Sequence, residues 1–441
     1  MGRIVNRRIF FELAGAGIAG YFAVPLRVAA RPKPAPPDTR ILNTAKNVIF
    51  ILLAGAPSQI DTFDLKVGAW TPADFKPTTI GDADFPEGLM PNLAAKFPRF
   101  ALLRSCYSAA LVHSLVLSWS QIARNPTSAS GKFAPNMGSV AALELESQRR
   151  PGQKLPGFVA FSTGYLVRSG YLSGRYAPFA VTASPGGLTT LVNPDGQSTF
   201  GDRYAALQAL SSAGVRRSDF DEMADLYMTA RNMMYEPEID AVFRFSNEDR
   251  NRYGNNAFGN SCIVARNLVD ADLGTRYMQI TFDGWDHHAN IYQNNSLYRI
   301  ARQLDTGLAN LIADLAVLPG ANGRSRLDET LIVAKGEFGR TCDLNGLAGR
   351  DHYFVHSALF AGGGVRGGQV LGSTTEDGRY IDRAGWSEDR PVGPEDVAAT
   401  IYSALGIDYT TVRTDDPAGM GFEYVPATKA GPSQPVRELF L

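Results

Sequence analysis

Cysteine is scarce in this chain: Cys106, Cys262 and Cys342 are the only three in 441 residues. Three thiols make one bridge at most, which excludes a disulfide framework as the source of stability. Excess charge of one sign is lacking too. Lys and Arg number 43 against 44 Asp and Glu, a formal net charge of -1, so no electrostatic case exists for nucleic acid as a partner. There is no internal repeat, no coiled-coil pattern and no low-complexity tract beyond one short Pro-rich stretch, which excludes solenoid and fibrous architectures. What remains is a globular composition, 44% hydrophobic and 10% aromatic, enough for a sizeable core in one large domain or two ordinary ones.

Residues 1–30 read as a segment separate from that core. Asn6-Arg7-Arg8-Ile9-Phe10-Phe11 places two arginines ahead of an apolar Ala- and Gly-rich segment, Leu13 to Leu26, with small residues at Val28-Ala29-Ala30. This is the pattern of a twin-arginine signal peptide, with a retained N-terminal anchor as the alternative. It implies the twin-arginine translocase as a partner during export, a periplasmic or extracellular destination, and no stable membrane span after cleavage. Residues 1–30 carry four Arg and one Glu, so their removal takes the formal charge from -1 to -4. Residues 31–46, opening RPKPAPP, are expected as an extended linker, and 47–441 as a single α/β domain.

Within that domain, Asn47 to Leu53 is a continuous apolar run with β-branched residues, as in a strand buried on both faces. Further strands are expected at Arg99–Ser105, Phe158–Phe161, Phe179–Val181, Tyr277–Phe282 and Thr330–Ala334. Helices are expected at Leu115–Ile122, within the polar stretch Asp202–Met234, at Ser261–Val269 and at Glu395–Leu405. Leu297, Ile300, Ala301, Leu304, Leu308, Leu311, Ile312 and Leu315 recur at helical spacing, one buried stripe. Strand, helix, strand from Tyr277 to Ala334 is a βαβ unit. Ser357–Ala361 and Gln369–Leu371, around Gly362–Gly368, read as a hairpin at one margin. The expectation is an α/β sandwich on a mostly parallel sheet.

Chemistry-bearing residues gather after the strands. Phe282 to Asn290, FDGWDHHAN, sets Asp283, Asp286, His287 and His288 within six positions. Asp61 and Asp64 follow the first strand, Glu337 the strand at 330, and Asp351 and His352 lie in the next loop; His113 opens a helix. In an open α/β sheet such loops share one edge, where ligands bind. Carboxylates and imidazoles at that density suit one or two divalent ions of Zn, Mn, Mg or Ca, with Arg340 and Arg350 placed to bind a tetrahedral oxyanion. Bland alternatives stand beside these roles: Asp61 and Asp64 as caps, Glu337 in a plain ion pair, His113 as a core histidine. His356 is read as structural. The glycine run at 362–368 opens no helix and is no phosphate loop.

GAPSQIDTFDLK at Gly55–Lys66, the stretch Asn251–Gly274, GWDHH at Gly284–His288, ETLIVAKGEFGRT at Glu329–Thr341, GRDH at Gly349–His352 and GGGVRGGQVLGST at Gly362–Thr374 resemble the bacterial domain-of-unknown-function family fifteen-oh-one. That family is grouped with the alkaline phosphatases and sulfatases. The resemblance implies an alkaline phosphatase-like three-layer sandwich and metals held at Asp61 and Asp64, His113, Asp286 and His288, Glu337, Asp351 and His352. Asp283 and His287 reproduce a second metal-ligand spacing of alkaline phosphatases, which leaves two candidate pairs. The chain departs from the superfamily in having Gly55-Ala56-Pro57-Ser58 where those enzymes place an aspartate, and Glu337-Phe338 where they place Asp-His. It also lacks the Cys-x-Pro-x-Arg signature of sulfatases. Ser114, then Ser58, are the candidate nucleophiles. The implied activity is a metal-dependent hydrolysis of phosphate or sulfate esters of a small molecule or glycan, and the alternative is a catalytically silent exported scaffold.

Overall fold

The apolar run after residue 46 becomes the centre of the molecule. In the computed structural model, which describes residues 41–440 apart from 163, 189–190, 213–227, 229 and 294–295, it forms β1 (Asn47–Ala54), buried along its whole length. Alternate side chains point to opposite faces of a strand. Ile49, Ile51 and Leu53 accordingly enter one core, and Val48, Phe50, Leu52 and Ala54 the other. A strand buried on both sides has no polar face, which is why the run shows no alternation.

Seven further strands complete the sheet: β2 (Phe100–Tyr107), β3 (Phe158–Phe161), β4 (Phe179–Val181), β5 (Tyr277–Asp283), β6 (Thr330–Gly336), β7 (Val355–Ala361) and β8 (Gln369–Leu371). Their spatial order is β8-β2-β7-β6-β1-β5-β3-β4. All run parallel except β7, which is antiparallel to both β2 and β6. The expected marginal hairpin does not form. β7 and β8 both pair with β2, from opposite sides, because the glycine turn is long enough to pass over the end of β2.

Helices cover both faces and make three layers. α1 (His113–Ile122), α2 (Met137–Glu144) and α5 (Pro394–Ala404) share a core with Val48 and Phe50, and α3 (Ala257–Ala271) and α4 (Ser296–Val317) with Ile49 and Ile51. The Asn256 side chain caps α3 by accepting from the Gly259 amide at 3.0 Å. On α4 the whole predicted stripe from Leu297 to Leu315 is buried, each Leu or Ile adding about 1.5–3 kcal/mol. Of the stretch expected to be helical, Asp202–Met234, the part up to Ser212 belongs to a helix that starts earlier, at Gly196, and residues 213–227 and 229 lie outside the described residues.

The end of the expected linker belongs to the domain: Asn43 and Thr44 amides donate to the carbonyls of Ser403 and Ala404 at the end of α5, and Lys46 pairs with Glu329 at 2.7 Å. The signal segment 1–30 and residues 31–40 lie outside the described residues. Among the described residues no helix is long and apolar enough to cross a membrane.

His356 on β7 is 3% exposed and its Nε2 has no hydrogen-bond partner. Burial, reinforced by the Lys335 ammonium, pushes its imidazole down to about 3. In the unfolded chain it titrates near 6.5. Between those values the unfolded state binds the extra proton, so stability falls as pH drops from about 6.5, by up to about 1.4 kcal/mol per pH unit. His356→Phe is expected to flatten that slope in urea midpoints measured against pH. Equal slopes for both proteins would refute a neutral buried imidazole.

Candidate metal centre

Parallel strands in register bring their carboxyl ends to one edge. Ala54 of β1 lies beside Asp283 of β5, and Leu53 beside Gly336 of β6, so the loops after these three strands start side by side. β2 runs the same way and hands on to His113, the first residue of α1. A two-residue ribbon pairs His352 with Arg340 and delivers His352 just before β7.

Four donor groups meet at this edge. One ligand atom from each of His113, Asp286, His288 and His352 lies within 4.8 Å of the other three. His288 Nε2 stands 3.0 Å from His352 Nε2 and 3.0 Å from Asp286 Oδ1. His113 Nε2 is 3.4 Å and His352 Nε2 3.8 Å from the same carboxylate oxygen. Donors around a tetrahedral ion at about 2.0–2.1 Å stand about 3.3 Å apart, so these spacings fit one ion.

The opposite ring nitrogens decide the tautomers. His113 Nδ1 is 2.6 Å from Glu337 Oε1, His288 Nδ1 2.7 Å from Asp351 Oδ1, and His352 Nδ1 2.8 Å from the Leu111 carbonyl. All three partners only accept, so each Nδ1 carries the proton and each Nε2 turns a lone pair inward. Two lone pairs 3.0 Å apart at His288 and His352 repel unless a cation lies between them, and the His113 Nε2 is buried without a hydrogen-bond partner. Imidazoles anchored through the far nitrogen by a carboxylate or a carbonyl are the habitual support of metal-ligating histidines. The residues therefore fit a divalent ion.

The electrostatics pull the imidazoles in opposite directions. Burial lowers His352, keeping it neutral. Against burial, the hydrogen bond and charge of Glu337 raise His113. Burial alone would raise Asp286, but the Arg340 guanidinium at 2.5 Å holds it below the usual carboxylate range. The His288 hydrogen bond does the same for Asp351.

Glu337 and Asp351 thus stand behind the cluster rather than in it. Glu337 also accepts from the Gly55 and Ala56 amides at 3.0 and 3.2 Å, tying the turn after β1 to His113. That turn needs Gly55: its φ is +98, and a Cβ there would lie 2.7 Å from the Asp286 amide nitrogen. Gly349 is as constrained, since its Cβ would lie 2.1 Å from the His288 carbonyl carbon.

Other expected site residues lie elsewhere. Asp61 is fully buried, accepting from Ser58 Oγ at 2.5 Å, Tyr292 Oη at 2.6 Å and Arg350 Nε at 2.7 Å. Asp64 is held by Arg104, Lys66 and Thr374. Asp283 turns back to accept from the Gly284 amide at 2.7 Å. His287, which burial and then Arg340 push down to about 4, is outside the cluster. Of the two candidate pairs, Asp286 and His288 are the one brought together.

The arginines do not face a ligand as expected. Arg340 directs its N–H groups to the carbonyls of Gly55, Ala56 and Arg350, to Asp286 and to His288 Nε2. Arg350 directs its own to both Asp61 oxygens, Tyr292 and the carbonyls of Thr341 and Cys342. At 1% and 0% exposure, with five acceptor atoms each, neither presents an open guanidinium fork to an oxyanion; the Arg340 bond to His288 Nε2, at 3.3 Å, uses the lone pair that an ion would take. Ser58 is buried as a donor to Asp61, whereas Ser114 is exposed on the first turn of α1.

Sequence reasoning missed Asn345, whose side-chain amide donates to Asp351 Oδ1 and the His288 carbonyl at 3.0 Å each, and Tyr292. Neither carries a motif signal. The Leu111 carbonyl, a backbone atom, has no signature in any sequence.

Solved structures similar to the chain include the lipoteichoic acid synthase LtaP from Listeria monocytogenes, with 10% identity over 88% of this chain and 77% of that one, at a TM-score of 0.36. The phosphonate monoester hydrolase SpPMH from Silicibacter pomeroyi is 12% identical over 90% and 76%, at 0.39. A protein of the alkaline phosphatase superfamily from Vibrio parahaemolyticus is 12% identical over 82% and 67%, at 0.34. No curated protein matches the chain. The motifs from the β1 turn to the final helix lie within residues 45–428, which match one family model, and the chain belongs to that family, described as protein of unknown function (DUF1501).

Proposed function

We propose that this chain is a metal-dependent hydrolase of phosphate or sulfate esters of a small molecule or glycan, exported by the twin-arginine translocase. The observation that carries the catalytic part is the convergence of three imidazole Nε2 atoms and one carboxylate oxygen at the carboxyl edge of the sheet. The choice of ester rests on the resemblance of the surrounding motifs to the alkaline phosphatase and sulfatase group.

An imidazole-rich set favours Zn, or Mn, over Mg and Ca, whose sites are built from oxygens; bound there, a divalent ion supplies Lewis-acid activation of ester and water. The chain's own residues do the rest. His113, His288 and His352 offer neutral Nε2 atoms because Glu337, Asp351 and the Leu111 carbonyl hold their Nδ1 protons. Arg340 fixes Asp286 and the carbonyls of the Gly55–Ala56 turn. Side chains of Asp286 and His288 are 46% and 43% exposed, so substrate reaches the cluster from solvent. Ser114, exposed and next to His113 in the chain, is the candidate nucleophile.

Elemental analysis of the folded protein is expected to find one divalent ion per chain. Turnover of para-nitrophenyl esters is expected to stop with a chelator and return with the ion. Bound metal without turnover of any ester would leave a binding protein or scaffold; absence of metal would remove the hydrolase.

Export is supported by Arg7-Arg8 ahead of the apolar segment Leu13–Leu26. Arg7→Lys with Arg8→Lys is expected to hold the protein in the cytoplasm, seen by fractionation. Unchanged export of that variant would overturn the route.

A further inference from the structure

We infer that the centre takes esters whose organic group is apolar, alkyl or aryl, rather than a sugar, and that this group lies on the segment between β2 and α1, residues 108–112. This rests on the hydrolase reading of the same site and names its substrate class.

That segment departs from the usual make-up of a loop. Connections run over the surface and favour polar and turn-forming residues, yet this one reads Ser-Ala-Ala-Leu-Val. Ala109 is exposed, Ala110 and Leu111 are half-buried, and Val112 is 57% exposed. Its polar side chain turns inward: Ser108 is 1% exposed, and its Oγ donates to the Ala110 carbonyl at 2.8 Å. The segment is also tied to the donors. Val112 caps α1 immediately before His113, and the Leu111 carbonyl accepts from His352 Nδ1 at 2.8 Å. Behind it, buried Phe338 packs on the rings of His113 and His352, with centroids 4.7 and 4.6 Å away, and Ala110 and Leu111 pack against the same apolar cluster. Apolar groups therefore lead from behind two of the four donors out to the surface at Val112, and exposed apolar surface beside a polar centre marks a binding site for an apolar group.

The loops on the His288 side are different. Asp283, Asp286, Asn290 and Asp351 are exposed there, with Leu347 among them, and the charge of the exposed Arg299 reaches His287. An ester bound with its anionic oxygens toward the donors and this polar side leaves its organic group against residues 109–112, where no side chain can bond a hydroxyl. A sugar placed there gives up water around hydroxyls that find no partner, whereas an alkyl or aryl group gains in proportion to the apolar area it covers. The same exposed carboxylates argue for a soluble ester over a membrane, since they repel an anionic lipid surface.

The test is calorimetric binding to the zinc-loaded protein of three ligands with one charged head in common: methyl phosphate, hexyl phosphate and glucosyl phosphate. The common head cancels from the comparison. Hexyl phosphate is expected to bind at least about tenfold tighter than methyl phosphate, and tighter than glucosyl phosphate by a similar factor. Val112→Ser, which sets a favoured residue at the cap of α1 and so keeps the helix, is expected to cut the hexyl-to-methyl ratio at least about threefold. Val317→Ser, at the far end of α4 and 79% exposed in the wild type, is expected to leave that ratio unchanged. Hexyl phosphate bound no tighter than methyl or glucosyl phosphate, a ratio that Val112→Ser does not alter, or no ligand bound would overturn the inference, and turnover of any ester in that protein would leave the hydrolase standing. Sedimentation of the protein with phosphatidylglycerol vesicles would assign the segment to a lipid surface and overturn it as well. Binding that strengthens with chain length, with no turnover of any ester, would uphold the apolar subsite and overturn the hydrolase.

Discussion

Arg350→Met is expected to destabilise the fold by about 3–5 kcal/mol, the cost of breaking a buried ion pair from one side. Arg350 is fully buried, and its guanidinium spans both oxygens of Asp61, itself fully buried, at 2.7 and 3.3 Å. Methionine fills much of the volume but leaves the Asp61 carboxylate with only Ser58 and Tyr292. It also strands the carbonyls of Thr341 and Cys342, which Arg350 Nη1 joins at 3.1 and 2.6 Å. The loss is read as a shift of the urea midpoint. Adding Asp61→Asn removes the uncompensated charge, so the double variant is expected to be less destabilised than the two single losses combined. A shift below about 1 kcal/mol for Arg350→Met, the range of an exposed pair, would show that the network is not what holds these loops.

That network also shows where sequence reading reaches and where it stops. β1 was legible because a strand flanked on both sides and covered on both faces admits only apolar residues, and α4 because its stripe repeats over 22 residues. Concentration of acids and imidazoles after the strands was legible for a similar reason: polar loops at a sheet edge stand out against buried strands. Finer placement was not. Asp283 and Asp286 are chemically equal in the sequence, and the turn at Gly284, with φ at +107, decides which carboxylate turns to the cluster. Arg340 and Arg350 looked like ligands for an anion because their true acceptors are largely backbone carbonyls, at Gly55, Ala56, Thr341 and Cys342, and no residue type announces a carbonyl. The supposed hairpin failed on topology. Two adjacent strands separated by a glycine turn look alike whether they pair with each other or straddle a strand from 250 residues earlier.

Joint replacement of Asp286 and His288 by alanine is expected to lower zinc affinity by a factor on the order of 10⁴ or more. A four-ligand zinc site is worth about 10–16 kcal/mol, so two ligands carry several kcal/mol, at about 1.4 kcal/mol for each tenfold. Glu337→Gln is expected to cost far less, about 10–100-fold, the usual effect of a partner behind a ligand, because it weakens the hold on His113 Nδ1 without deleting a donor. The metal-free fold is expected to lose about 1–3 kcal/mol, because the buried Arg340 guanidinium gives up Asp286 and His288 and keeps the carbonyls of Gly55, Ala56 and Arg350. The loss goes no further, since both side chains are more than two-fifths exposed and losing His288 relieves the contact of its Nε2 with that of His352 at 3.0 Å. Zinc should therefore raise the melting temperature of the wild type, by linkage to binding of the native state, and leave the double variant unmoved. An equal zinc-induced rise in both proteins would place the ion elsewhere on the chain. A collapse of the variant without zinc would mean that these residues serve the fold before they serve a metal.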